Sequence, residues 1–242
     1  MSMKSLGETV MVLGSSNRLG REVALFLAHC GYDIIVHYHT NKKGGEETLS
    51  MIRSIGRKAS LVCGDITTKE GVDSLFVDLS DLTSIVNCAS IFIDSPFGSV
   101  DEERFDTDQL IHQKGPFFLT QRLFLYSKER EIRTSMIHLT DAQTTHPSSL
   151  KPSYYIAKSA LEEQIRILAL HSAPYVRVNG VAPGLIISNN EQEEAYFKKR
   201  KEVIPLKRLA AKDDVSSTVE FLIKNKAITG QIIKVDSGEF LL

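Results

Sequence analysis

A tyrosine and a lysine lie at a spacing that can support proton transfer. Tyr154 and Lys158 are four residues apart, and on a helix this spacing places both side chains on one face. A free tyrosine has a pKa of about 10 and is a poor acid or base near neutrality. An ammonium group close to the phenol stabilises the phenolate and lowers that pKa. The pair therefore predicts a phenol that delivers a proton in catalysis.

A carboxylate is placed to join this pair. Asp141 lies thirteen residues before Tyr154, at the end of an apolar run over 136–139 that is typical of a strand. An ionised carboxylate only accepts hydrogen bonds, so Asp141 is expected to accept from N–H groups of a substrate and to orient Tyr154 as a donor. It is a poor partner for the oxyanion that develops in ketone reduction. Its negative charge also opposes formation of the Tyr154 phenolate.

Short apolar runs alternate with amphipathic segments along the whole chain. Strands are predicted at 9–13, 34–38, 59–63, 83–87, 133–139, 175–181 and 231–235. Helices are predicted between them, at 19–30, 41–55, 71–79, 116–128, from 152 onward, 191–202 and 213–225. This alternation indicates a parallel sheet covered on both faces. Without a repeat or linker to divide it, the chain is predicted to form one doubly wound, Rossmann-type α/β domain over 1–242, with a seven-stranded, mainly parallel sheet.

The turn after the first strand is suited to binding a phosphate. It runs from Gly14 to Gly20 as G-x-x-x-R-x-G and opens the first helix. Backbone N–H groups at a helix N-terminus bind anions, aided by the helix dipole. The turn alone is equally compatible with a glycine-bounded connection that binds nothing. Arg18 favours the phosphate site, because a guanidinium there suits a second phosphate.

Composition excludes several classes of function. A net charge of -1 gives no whole-molecule attraction to nucleic acid or anionic membranes. The three cysteines are odd in number and form no C-x-x-C, and none of the seven histidines has metal-binding helical spacing. No apolar run approaches the roughly 18 residues of a membrane span, and the N-terminus lacks a signal-peptide core. A cytoplasmic protein with no metal, nucleic-acid or membrane partner is expected.

Together these motifs resemble the short-chain dehydrogenase/reductase family. The glycine turn is similar to that family's G-x-x-x-G-x-G, with Arg18 replacing the middle glycine. Asn87-Cys-Ala-Ser90 resembles its N-N-A-G element, Tyr154 and Lys158 match its catalytic pair, and Pro183-Gly184 matches its P-G after the sixth strand. The resemblance covers essentially the whole chain and implies a homotetramer in which the helices around 116–128 and 152–171 pack between subunits.

At two positions the chain departs from the common family pattern and resembles the pteridine reductases and the bacterial dihydromonapterin reductases. Asp141 replaces the family's usual catalytic serine, and Arg18 replaces the turn glycine. In that branch an aromatic residue two positions after Ser90 covers the pterin ring, so Phe92 is the implied stacking partner; an ordinary core residue is the alternative. His112 stands where the family commonly has an asparagine, a change that the branch also shows.

The choice between NAD and NADP is predicted from the absence of an acidic residue after the second strand. NAD enzymes commonly carry Asp or Glu after the second strand, where it binds the ribose hydroxyls. Here that segment, 37–43, has no carboxylate. Arg18, His39 and the lysines would attract a 2′-phosphate, so NADPH/NADP is predicted. The branch often has an arginine where this chain has Thr40, which weakens the phosphate clamp unless Lys42 or Lys43 substitutes for it.

These motifs and the resemblance define the expected site. The catalytic residues are Asp141, Tyr154 and Lys158. The cofactor-binding residues are Gly14, Arg18, Leu19, Gly20, His37, Tyr38, His39, Thr40, Asp65, Ile66, Asn87, Ala89, Ser90, Tyr154, Lys158, Pro183 and Gly184. The substrate-binding residues are Arg18, Ser90, Phe92, Asp141, Tyr154 and Leu185.

The implied activity is NADPH-dependent reduction of a dihydropterin, with the proton supplied through Tyr154 and dihydrofolate as a further possible substrate. One alternative is another reaction of the family, such as 3-oxoacyl-carrier-protein reduction. The other is a regulatory protein that binds NADP without turnover. The segment 185–205 follows Pro183-Gly184 and carries few large apolar residues, so it is predicted to be a substrate lid.

Overall fold

The computed structural model describes residues 7–77, 79, 81–186 and 191–242, with only the backbone described for 191–194. Its strands are β1 (Thr9–Leu13), β2 (Asp33–Tyr38), β3 (Ala59–Cys63), β4 (Leu82–Asn87), β5 (Thr134–Leu139), β6 (Val176–Pro183) and β7 (Ile232–Val235). Its α-helices are α1 (Arg18–His29), α2 (Lys42–Ser54), α3 (Lys69–Ser74), α4 (Glu102–Gln109), α5 (Gly115–Glu129), α6 (Pro152–Ser172), α7 (Glu191–Val203) and α8 (Lys212–Lys224).

The predicted seven-stranded sheet is confirmed. The strand order is β3-β2-β1-β4-β5-β6-β7, and every pairing among the described strands is parallel. Successive strands extend the sheet from β1 in one direction as far as β3 and in the other from β4 to β7. The strand order thus reverses direction between β1 and β4. In open α/β sheets a crevice forms outside the carboxyl ends of the strands at this point, and ligands bind there.

Strand side chains alternate between two hydrophobic cores. In β1, Met11 and Leu13 pack with residues of α5 and α6, whereas Val10 and Val12 pack with residues of α1 and α8. Successive strand side chains point to opposite faces of a sheet, so apolar residues at consecutive positions require cover on both faces. The near-continuous apolar runs in the sequence therefore correspond to a three-layer α/β/α arrangement.

Two helical regions differ from the prediction. The helix expected at 71–79 is α3, which begins earlier at Lys69 and ends at Ser74; residue 78 lies outside the described part of the chain. Its start is set by Thr68, whose side chain accepts a hydrogen bond from the Gly71 N–H at 3.1 Å. Helix α4 was not predicted, although Asp101 caps it by accepting from the Arg104 N–H at 2.7 Å.

A π-helical turn, Leu110–Lys114, joins α4 to α5 and contains His112. Such turns are rare and are frequent at functional sites. Two 3₁₀ turns also lie near strand ends, Ala142–Thr145 after β5 and Glu239–Leu241 after β7. Among the described residues, no helix has the length and apolar character needed to cross a membrane.

Candidate active site

The three predicted catalytic side chains meet beyond the end of β5. Tyr154 and Lys158 lie in the first two turns of α6, and the Tyr154 hydroxyl donates a hydrogen bond to Asp141 Oδ2 at 2.9 Å. The other carboxylate oxygen of Asp141 accepts from the Gln143 N–H at 2.8 Å. Lys158 Nζ donates to the Leu139 carbonyl at 2.7 Å and lies 5.7 Å from the centre of the Tyr154 ring.

Burial dominates the electrostatics of this group. Burial, followed by the charge and hydrogen bond of Asp141, raises the pKa of Tyr154 well above its ordinary value. Burial lowers the pKa of Lys158 to about 8 and raises the pKa of Asp141. The expectation that Lys158 lowers the pKa of Tyr154 is therefore not met in the protein alone, because burial and the adjacent carboxylate both oppose the phenolate. Tyr154 is a protonated donor at neutral pH.

Phe92 forms one wall of the site. Its ring packs edge-on against Tyr154, with centroids 5.0 Å apart. Lys151 Nζ lies 4.1 Å from the centre of the same ring, and Lys151 also forms an ion pair with Asp94. About half of the Phe92 surface remains exposed. Phe92 is thus not an ordinary core residue but a partly exposed aromatic side chain beside Tyr154.

His112 packs on another side of Tyr154, with ring centroids 5.0 Å apart. Its Nδ1 lies 3.1 Å from the Asp108 carbonyl, which can only accept, so this nitrogen carries the proton. Its Nε2 then accepts from the Ser90 hydroxyl at 3.0 Å. Burial lowers the pKa of His112 to about 2, so the ring is neutral and orients Ser90.

The glycine turn lies at the crevice between β1 and β4. Gly14 has φ of +69°, and a Cβ there would lie 3.0 Å from Ala89 N. A Cβ on Gly20 would lie 2.3 Å from the Gly14 carbonyl oxygen. Both positions therefore require glycine, because any side chain would push the turn away from the strand ends.

The start of α1 fits a phosphate-bearing cofactor. Asn17, at the N-cap, makes no side-chain capping bond, and the first turn has no acidic residue. First-turn N–H groups lack partners within a helix and attract anions. Arg18 has φ of 49°, a left-handed conformation that costs an L-residue about 1 kcal/mol. An arginine held in that conformation at this turn is consistent with a role in ligand binding.

His37 is placed differently from the other residues expected at the cofactor. Its Nδ1 accepts from the Gly14 N–H at 3.1 Å, and its Nε2 donates to the Gly64 carbonyl at 2.9 Å. Burial lowers its pKa to about 4, so the ring is neutral. Because both ring nitrogens bind backbone, His37 supports the glycine turn and has no nitrogen left for a ligand in this arrangement.

Several of the expected cofactor-binding residues that follow β2 and β3 are exposed or half-buried. His39 and Thr40 are exposed, and His39 Nε2 lies 3.8 Å from Asp65 Oδ2. The other oxygen of Asp65 accepts from the N–H and hydroxyl of Thr67, at 2.9 and 2.8 Å. Tyr38 and Leu19 are half-buried, and Ile66 is buried.

The remaining predicted residues lie at the ends of β4 and β6. Asn87 Oδ1 accepts from the Ala89 N–H at 3.1 Å, which shapes the turn that leads to Ser90. Pro183 ends β6, and the Gly184 N–H donates to the Val235 carbonyl at 3.0 Å. Leu185 follows and is half-buried. Of the predicted lid, 187–190 lie outside the described residues.

Several residues of the site were missed in the sequence. Lys151 contacts Phe92, Tyr155 donates to Gln143 Oε1 at 3.1 Å, and the buried Glu239 lies near Gly184. Lys151 and Tyr155 flank the tyrosine motif, and Glu239 follows the Val235-Asp-Ser-Gly238 element, so adjacency to motifs was the available signal. No group of His, Cys, Asp and Glu side chains suited to a metal ion occurs in the described part of the chain.

Known proteins are similar in sequence to nearly the whole chain. The family model described as enoyl-(acyl carrier protein) reductase matches residues 14–239. The uncharacterized oxidoreductase YmfI of Bacillus subtilis is 28% identical over 246 residues, covering 96% of this chain and 99% of the relative. The 3-oxoacyl-[acyl-carrier-protein] reductase FabG of Staphylococcus epidermidis is 27% identical over 245 residues, covering 98% and 100%.

A solved structure with a cofactor is also similar. The FolM alternative dihydrofolate reductase 1 of Brucella canis, complexed with NADP, superposes with a TM-score of 0.86 at 26% identity. The superposition covers 99% of this chain and 97% of the other. Given the match over 14–239 and the geometry of Tyr154, Lys158 and the glycine turn, the chain belongs to the short-chain dehydrogenase/reductase family of oxidoreductases.

Proposed function

We propose that this protein is an NADPH-dependent reductase of a dihydropterin, acting on a C=N bond to give the tetrahydro form. The observation that carries the proposal is the hydrogen bond from the Tyr154 hydroxyl to Asp141 Oδ2, 2.9 Å long, in a site walled by Phe92. A carboxylate there suits a substrate that presents N–H groups, as the ring of an aminopterin does.

The cofactor is NADPH/NADP. The first turn of α1 and Arg18 bind its phosphates, and Lys158 binds the nicotinamide ribose, as the family resemblance implies. When bound, NADPH supplies the hydride. The segment after β2 offers His39, Lys42 and Lys43, whose charge complements a 2′-phosphate. The NADP complex of the Brucella relative supports this assignment.

The protein's own residues orient the substrate and move the proton. Phe92 stacks on the pterin ring, while Asp141 accepts hydrogen bonds from the ring N–H groups. Because the pKa of Tyr154 is raised, its hydroxyl keeps its proton until transfer. The proton then passes to the nitrogen of the C=N bond, directly or through one water. His112 fixes the neighbouring Ser90 through the 3.0 Å hydrogen bond.

A second candidate is 3-oxoacyl-carrier-protein reduction. It is favoured by the Staphylococcus relative, which is similar along its full length. Asp141 argues against it: a carboxylate that already binds the tyrosine hydroxyl would repel the oxyanion formed when a ketone is reduced. We therefore rank pterin reduction above ketone reduction.

The test is the oxidation of NADPH by the purified protein, followed at 340 nm, with dihydromonapterin, dihydrobiopterin, dihydrofolate and an acetoacetyl thioester as separate substrates. Turnover of at least one pterin, abolished by Tyr154→Phe, is expected. Turnover of the thioester alone would replace the proposal with the second candidate. NADPH binding without oxidation by any of the four compounds would indicate a regulatory protein.

A further inference from the structure

A buried carboxylate at the C-terminus lies beside the candidate site. Glu239 opens the last 3₁₀ turn, and its side chain is 6% exposed. A Cβ on Gly184, which follows β6, would lie 3.5 Å from Glu239 Oε2. The same turn packs against the 3₁₀ turn that follows Asp141. Glu239 therefore lies close to the carboxyl ends of β5 and β6, where substrate is proposed to bind.

Helix α7 supplies the counter-charge. Arg200 donates from Nε and Nη2 to Glu239 Oε1, at 2.8 and 2.6 Å. Arg200 is the α7 side chain that makes this ion pair, while its neighbours Lys198 and Lys199 are exposed. Both guanidinium donors bind the same carboxylate oxygen, and such charge-assisted hydrogen bonds are stronger than bonds between neutral groups. The pair ties α7 to the C-terminal turn.

The C-terminal turn is itself firmly held. Asp236 accepts from the N–H groups of Gly238 and Phe240, at 2.9 and 2.8 Å. Just beyond α7, the Leu206 N–H donates to the Ser237 carbonyl at 3.2 Å. The turn thus provides a fixed anchor at the end of β7, to which Arg200 of α7 and Leu206, just after the helix, are both bound.

The negative charge of Glu239 explains why its ion pair with Arg200 is needed. Glu239 is close enough to Asp141 for its charge to raise the pKa of that carboxyl group, although burial is the larger cause. The pKa of Tyr155 is also raised. Burial is the largest cause and the charge of Asp141 the next, while Tyr196 of α7 and Glu239 also contribute. An unpaired Glu239 would be a second buried negative charge near the site, which is strongly unfavourable. Glu239 is therefore constrained to keep Arg200, and so α7, in place.

We propose that Glu239 is a positioning residue that, through Arg200, holds helix α7 against the end of β6 so that the helix covers the substrate. The proposal rests on the proposed function for the identity of the substrate, but not for the position of the helix. Loss of the pair leaves the C-terminal turn in place and releases the end of α7. Substrate binding then weakens more than the chemical step, because Tyr154, Asp141 and Lys158 are untouched.

Two measurements test the proposal in the full-length protein with NADPH bound. The first is hydrogen exchange of the 195–203 backbone in the wild type and in Glu239→Gln; exchange at least about tenfold faster in the variant is expected. The second is steady-state kinetics with whichever substrate the wild type reduces. KM for that substrate should rise on the order of tenfold, while kcat and KM for NADPH change less than about threefold.

Two further variants serve as controls. Arg200→Lys keeps the charge and should retain most of the exchange protection of the wild type. Lys199→Gln removes an exposed cation on the same helix and should behave as wild type. If Glu239→Gln fails to fold, Arg200→Gln is measured in its place, since Arg200 is the more exposed partner.

Equal exchange in folded Glu239→Gln or Arg200→Gln and in wild type would overturn the proposal. So would a fall in kcat with KM unchanged, which would indicate a general structural role. If no pterin is reduced, the proposed function fails on its own, and the exchange measurement still decides the role of Glu239.

Discussion

At the scale of single residues, burial keeps the proton on Tyr154 but weakens the hold of Lys158 on its own proton. Burial and Asp141 raise the pKa of the tyrosine, while burial lowers that of the lysine to about 8. The two shifts have a common cause, because desolvation penalises the charged form of either group. The lysine is therefore the group of the pair that titrates nearer to neutral pH.

Asp141→Ser should separate substrate chemistry from cofactor binding. The substitution removes the carboxylate that accepts the Tyr154 hydroxyl bond and the expected pterin N–H bonds, and the shorter, neutral serine replaces it poorly. Pterin turnover, as kcat/KM, should fall about 10²-fold, while the Kd for NADPH, measured by fluorescence titration, stays within about threefold. Asp141→Asn, which keeps the shape, is the matched variant. Unchanged turnover in both variants would remove Asp141 from the site.

The pH dependence should report Lys158. In the cofactor-free protein its pKa is about 8, so the ammonium is present below that pH and is lost as pH rises through it. The kcat/KM for NADPH reports groups of the free enzyme, and it should fall about tenfold per pH unit above that pKa. Lys158→Arg, which stays charged at all accessible pH values, should lose this limb. If kcat/KM for NADPH falls in the same way in Lys158→Arg, the titrating group is a different one.

At the scale of elements, helix ends require partners for their last carbonyl groups. Arg177 on β6 supplies them for α8 by donating to the carbonyls of Leu222 and Ile223, both at 3.0 Å. It also donates to the Ile228 carbonyl at 2.9 Å. One side chain therefore joins α8 and the loop before β7 to the strand that carries Pro183. Its charge also complements the negative end of the helix dipole.

Arg177→Met should destabilise the fold without altering the site. Three carbonyl groups lose a charged donor, and the free energy of unfolding should fall by about 3 kcal/mol. Urea denaturation followed by circular dichroism measures it. Arg53→Met is the matched control, because Arg53 makes one exposed bond to the Ala59 carbonyl and should change stability by less than about 0.5 kcal/mol. Equal effects of the two variants would show that the Arg177 contacts do not support the helix end.

At the scale of the whole molecule, the outer faces of α5 and α6 carry apolar side chains that the single chain leaves exposed. These residues are Phe118, Leu125, Ile156, Ile167 and Leu170. Large exposed apolar side chains that lie on the same helices are a feature of protein–protein interfaces. The family resemblance implies that these two helices pack between subunits of a homotetramer, and the exposed residues support that proposal.

Light scattering after size-exclusion chromatography should give the mass of a tetramer at micromolar concentration. Ile167→Glu places a charge within the proposed interface and should shift the protein to smaller species, because an unpaired charge is not tolerated in a packed interface. Val77→Glu alters an exposed apolar residue outside α5 and α6 and should leave the mass unchanged. A wild-type monomer would contradict the proposal.

The elements that sequence patterns predicted well are those with strong local periodicity. The seven strands were found within two residues of their predicted ends because buried parallel strands are nearly continuous apolar runs. Helix α4 was missed because it has few apolar residues and is specified by the Asp101 cap instead. The π-helical turn was also missed; it places His112 against Ser90 and Tyr154, which are distant in the sequence.

The amino-acid sequence alone determined the class of fold and the glycine turn, and it predicted the catalytic side chains. The fold and the turn depend on local patterns: nearly continuous apolar runs in buried strands, and glycine where backbone must approach backbone. The pairing of Tyr154 with Lys158 depends on a spacing of four residues along a helix. Only the tertiary structure decided how those groups behave. The raised pKa of Tyr154, the use of both His37 nitrogens by backbone, and the pairing of Arg200 with Glu239 all depend on burial and on residues far apart in the chain. Desolvation and long-range contacts exist only once the elements have packed, so no local pattern encodes them.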